Sequence, residues 1–150
     1  MRTRRWAVLI GLGAVLLAVV LAGVWPQTPG GFRSTVETSV QDAVSAVGTA
    51  RLAGQTALRG RTFGAYESTV LDDARESVAT ATSDVLELQV PDEASRQSRD
   101  QVLPLLQESA RLIGDLGTGL DEDDQTAASA AVDGLGAVRE RLVTALEGLR

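Results

Sequence analysis

The 150 residues include no Cys and no His, which removes disulfides, thiol chemistry, the usual general base and the commonest metal ligand. All fourteen basic residues are Arg, set against twenty Asp and Glu, for a formal net charge of −6. A nucleic-acid role needs a basic face, and this balance argues against it.

The chain opens with Arg2, Arg4 and Arg5, then runs uncharged from Trp6 to Trp25. Eleven of the eighteen residues between the two tryptophans are Leu, Ile or Val. As a helix this run is roughly 30 Å long, the thickness of a bilayer's hydrocarbon core. Trp6 and Trp25 fall where an aromatic belt lies, and Arg4 and Arg5 mark the cytoplasmic interface. The nearest charge after the run is Arg33. The positive-inside rule therefore predicts residues 1–5 in the cytoplasm, 6–25 as a single-pass anchor in the cell membrane, and the bulk of the chain outside. The alternative is a cleaved signal peptide with a secreted product beginning at Gly23, although the apolar run exceeds the usual signal core of about 7–15 residues. Ala14, Ala18 and Ala22 recur every fourth residue, a small-residue strip suited to a weak homodimer in lipid.

Residues 26–33 hold two prolines and two glycines and read as a linker. From 34 onward one period dominates. Ser34 and Glu37 have the form of a capping box, and Val36, Val40, Ala43 or Val44, Val47, Ala50, Gly54 and Leu58 trace one face of a first helix over about 34–60. A turn at Gly60–Gly64 leads to a second helix, with Tyr66, Val70, Ala74, Val78, Ala81, Val85 and Leu88 on one face. It stops before Pro91. Asp92 is a natural N-cap for a third helix carrying Val102, Leu105, Leu106, Ser109, Ile113 and Leu116, which Gly117 and Gly119 are expected to end. Asp121 is expected to cap a fourth, with Ala128, Ala131, Leu135, Val138, Leu142, Ala145 and Leu149 in a seven-residue repeat. Four amphipathic helices joined by short turns predict an all-α, up-down antiparallel four-helix bundle over 34–150. That arrangement brings the turn with Arg59 and Arg61 to the same end as Asp121–Asp124, where opposite charges are expected to meet.

Candidate chemistry is sparse. Asp121–Asp124 lack the alternating spacing and central glycine of a calcium loop, and capping accounts for them. Asp72 and Glu76 share a helix face beside Asp73 but read as solvated. Gly54, Gly60, Arg61 and Thr62 miss the spacing of a phosphate loop, and Gly114, Gly117 and Gly119 close a helix instead of opening one. Pro104 removes a backbone hydrogen bond and crowds the carbonyl of Asp100, which marks a kink or hinge. No cofactor or metal site is indicated, and no nucleophile–base pair supports an enzyme.

Membrane-anchored helical bundles of this form are similar to the extracytoplasmic sensor domains of bacterial receptors. The likeness is one of fold and carries no residue across. Those receptors also use a second membrane segment and a cytoplasmic output domain, which these residues do not supply. The sequence therefore points to a non-enzymatic envelope protein whose acidic bundle docks a protein partner. The alternative is a solute-binding sensor with its ligand between helices near Pro104. A pocket of several hundred Å³ favours the sensor, and a filled core favours docking.

Overall fold

The computed structural model describes residues 28–60 and 64–149, with the backbone alone for 64–67. The segment 6–25, with Arg4, Arg5, Trp6, Trp25 and the Ala14, Ala18 and Ala22 strip, lies outside the described residues, as do Arg61 and Thr62. Among the described residues no helix is long and apolar enough to cross a membrane. The structure is all-helical: α1 (Pro29–Leu58), α2 (Gly64–Glu87), α3 (Glu93–Asp121) and α4 (Gln125–Leu149).

Helix α1 begins at Pro29, so the linker read over 26–33 gives way to helix five residues before Ser34. Thr28 is the N-cap. Its Oγ1 accepts the Gly31 amide at 3.2 Å, and Pro29 sits where a missing amide costs nothing. Gly30 and Gly31 each disfavour helix by about 1 kcal/mol. The extra turn offsets this by burying Phe32, which is 1 % exposed and worth roughly 1.5–3 kcal/mol. At its other end α1 closes on Gly60, whose φ of +66° suits a residue without a Cβ.

Helix α3 starts as expected. Asp92 is its N-cap and accepts the Ser95 amide at 2.8 Å. Its end does not follow the sequence reading: it runs through Gly117 and Gly119 to Asp121. Gly119 is there for packing. A Cβ on it would stand 2.8 Å from the Ala128 backbone nitrogen of α4. The cap of α4 is likewise Asp124 and not Asp121, since Asp124 Oδ1 accepts the amides of Thr126 and Ala127, each at 3.0 Å.

The predicted apolar faces of α3 and α4 turn inward, with only Ala145 half-covered. On α2, Leu71 is buried and Val70 only half-buried. Consecutive helices pack antiparallel, and α4 returns beside α1. The cross-section is a rhombus. Helix α1 touches α3 across the middle, whereas α2 and α4 do not meet among the described residues. Small side chains explain the short diagonal: a Cβ on Gly54 of α1 would fall 2.8 Å from Leu116 Cδ2 of α3. Helix α3 is continuous through Pro104, whose ring is exposed, so water can reach the Asp100 carbonyl it leaves without a helical donor.

Candidate functional site

A groove lies on the outside of the bundle between α1 and α2. It has a volume of about 710 Å³. The helix period puts Asp42, Ser45 and Thr49 of α1 along one wall, and Asp73, Glu76, Ser77, Thr80 and Asp84 of α2 along the other. Ala46, Ala74 and Ala81 form the base. Those short side chains leave the trough open between two helices that touch along their inner faces.

No Arg lines this groove, while four carboxylates do. The hydroxyls do not offset them. Ser45 Oγ donates to the Gln41 carbonyl at 3.1 Å, Thr49 Oγ1 to the Ser45 carbonyl at 3.0 Å, and Ser77 Oγ to the Asp73 carbonyl at 2.9 Å. Their protons are committed to the helix backbone, so what faces outward is lone pairs. The groove is negatively charged, and three of its four hydroxyls turn lone pairs outward, Thr80 being the exception.

Two smaller grooves flank α3. One of about 420 Å³ lies against α4 and includes Glu122; one of about 330 Å³ lies against α2 and includes Asp72, Arg75 and Asp121. Asp72 and Glu76, one turn apart, therefore line different grooves, and Glu76 joins Asp73 instead. The acidic turn is also divided. Asp123 takes φ 54° to end α3, and Asp124 caps α4. Among the described residues no group of three potential metal ligands comes together.

Of the two arginines expected to meet Asp121–Asp124, Arg61 lies outside the described residues. Arg59, whose backbone is the exposed C-cap of α1, makes no ion pair with Asp121–Asp124 among the described residues. Between helices, Arg141 of α4 pairs with Glu108 of α3 at 2.6 Å. Pro104 lines none of these three grooves. Gly54 packs in the core beneath Val132 and Leu116, which leaves it no phosphate-binding role.

Asp92 is the one described group whose carboxyl is held clearly below its ordinary range. The Ser95 amide that it caps is the main cause, helped by the Ser95 hydroxyl and the positive charge of Arg33. Its link to Arg33 puts the starts of α1 and α3 at one end of the bundle.

Close helix contact is the plain reading of Gly48, Gly114 and Gly136 in the sequence; the arginines that cover them were not foreseen. Arg139 lies over Gly48, Arg51 over Gly136, and Arg75 over Gly114. Glycine and arginine three residues apart on each of α1 and α4 was the available signal: Gly48–Arg51 and Gly136–Arg139. No protein-family model, curated protein or solved structure matches the chain.

Proposed function

We propose that this is a non-enzymatic, membrane-anchored envelope protein whose helical bundle docks a protein partner through the α1–α2 groove. Residues 6–25 hold it in the cell membrane, with residues 1–5 in the cytoplasm and the bundle outside. The observation that carries the docking reading is the negatively charged groove, with Asp42, Asp73, Glu76 and Asp84 around its alanine base and no base among its walls. A partner segment rich in Arg or Lys, presented as a helix or an extended strand, supplies the missing donors and charge.

A photo-crosslinker placed at Thr80 in the full-length protein, in its own cells, tests this. It should trap a discrete partner through a basic segment, and Asp73→Asn with Glu76→Gln should abolish the product. Equal trapping from a crosslinker at Glu147, on the far helix, sinks the groove as a docking site. Retention of the protein in carbonate-washed membranes, with digestion of the bundle by external protease, is expected for the anchor. A soluble product beginning at Gly23 rejects it.

The groove's volume supports one second reading, a solute-binding sensor, since small-molecule sites span about 300–1,000 Å³. Its walls carry no aromatic side chain and face solvent, and it is not the site near Pro104 expected from the sequence. A polyamine-like cation is the solute such walls would take.

A further inference from the structure

We infer that the occupant of the α1–α2 groove is an α-helix of a second protein, laid along the trough as a coiled-coil strand with Arg or Lys beside its seam. This rests on the docking reading of the groove and narrows it from a helix or a strand to a helix. On α2 the residues lining the groove include Val70, Ala74, Ser77, Ala81 and Asp84, spaced four, three, four and three. On α1, Asp42, Ala46 and Thr49 follow the same alternation. Such spacing averages about 3.5 residues and marks a coiled-coil seam. It is a second seam. The core row of α2 runs through Leu71, Ala74, Val78, Ala81 and Val85, all buried, and the two rows share Ala74 and Ala81. Helix α2 therefore carries one seam into the bundle and another, beside it, along the groove.

The repeat length chooses the partner's backbone. Seam positions on α2 recur about every 5.2 Å, at roughly 1.5 Å per residue. A partner helix with its own seven-residue repeat keeps that step along the whole row. A strand places same-side residues about 6.7 Å apart, so it is out of step by about 3 Å after two positions. The row from Val70 to Asp84 is about 21 Å long, which a helix of about four turns covers. Charge chooses the partner's flanks. The helix period puts Asp73 and Glu76 on the solvent side of the α2 row, and Asp42 and Asp84 end the two rows away from the Gly60 turn. Ala74 and Ala81 are only 4 % and 2 % exposed, so the base offers little apolar area to drive association. Its short side chains let helix axes approach to about 8 Å, and the carboxylates do the selecting. The partner's seam is accordingly of small residues. Its basic residues lie on the flank facing α2 and at the end near Asp42 and Asp84.

The test uses the full-length protein in neutral detergent and two fluorescent peptides of about three heptads, read by anisotropy. One peptide has alanine at its seam positions and arginine on the flanks. The other is the same peptide with two seam alanines changed to proline, which keeps the charge and prevents the helix. The helical peptide should bind about tenfold more tightly than its proline form. Ser77→Trp fills the seam from an exposed position and leaves the charge alone. It should weaken the helical peptide about tenfold, while Ala137→Trp, on the exposed side of α4, changes nothing. Melting temperatures close to the parent's show that both variants are folded. Equal binding of the two peptides, with both lost in Asp73→Asn with Glu76→Gln, overturns the helix and leaves the docking groove standing. Binding of neither peptide, or binding that this double variant leaves intact, overturns the groove together with the helix. Full binding by Ser77→Trp overturns the seam. A free protein that is a dimer and is split by Ser77→Trp puts a second copy in the trough and overturns the separate partner.

Discussion

Arg51 on α1 and Gly136 on α4 are a matched pair: the side chain of one fills the notch left by the other, with Nε 3.1 Å from where a Cβ would stand. Arg139 and Gly48 repeat the contact one turn away. Two kinds of close contact therefore occur over the helix glycines. Gly48, Gly114 and Gly136 lie under a long arginine side chain, whereas Gly119 lies under the backbone of α4.

That division predicts opposite effects of one substitution. At Gly119 the nearest atoms to a new Cβ are backbone atoms of Ala128 and Ala127, at 2.8 to 3.3 Å. Gly119→Ala should destabilise by about 1–3 kcal/mol, since α4 must shift. At Gly48 the nearest atoms belong to Arg139, whose exposed side chain can swing away. Gly48→Ala should therefore gain most of the helix preference for alanine, about 0.5–1 kcal/mol. Urea melts of both variants check this, and equal midpoints would refute the division.

The turn between α3 and α4 holds a second prediction. Asp123 sits at φ 54°, with its amide donating to the Leu120 carbonyl at 3.3 Å and the Asp124 amide to the Gly119 carbonyl at 2.8 Å. That left-handed closing position favours glycine. Asp123→Gly should raise stability by about 0.5–1 kcal/mol. Asp124→Ala should lower it by about 1 kcal/mol, because two amides lose their acceptor. Thermal melts of the two variants should move in opposite directions.

Acid should act through Asp92. Its folded carboxyl ionises below the ordinary 3.8, so its ionised form is favoured by folding. The resulting stability is fully present above that ordinary value and is lost as pH falls through the lower folded one. Asp92→Asn keeps a capping oxygen but cannot titrate. The variant should lose less stability than the parent between pH 5 and about pH 2.5, as measured by denaturant melts at each pH. Parallel pH profiles would remove Asp92 as a contributor.

The apolar faces were legible because burial repeats at the helix period. Val102, Leu106, Ile113 and Leu116 point inward on α3 as their spacing requires, and Leu135, Val138 and Leu142 do so on α4. Helix ends were less legible, because Gly and Asp each have two uses. Gly119 looks like a stop signal but permits a close crossing, and Asp121 looks like a cap three residues before the real one. Phe32 was hidden by the Pro-Gly-Gly that precedes it. The groove could not be read at all. Asp42 and Asp84 come from different helices, and only the pairing of α1 with α2 puts them on one trough.

The central place of α1 also bears on how the bundle is made. During synthesis α1 is the first of the four helices to leave the ribosome, yet the arginine that covers Gly48 is residue 139. The contacts that lock α1 on its α4 side therefore span about ninety residues of chain, and loops that long close late. Until α4 emerges, Val36, Val40 and Val47 have only part of their final cover. A nascent chain stalled before Gln125 presents an open apolar strip to chaperones or to other unfinished chains.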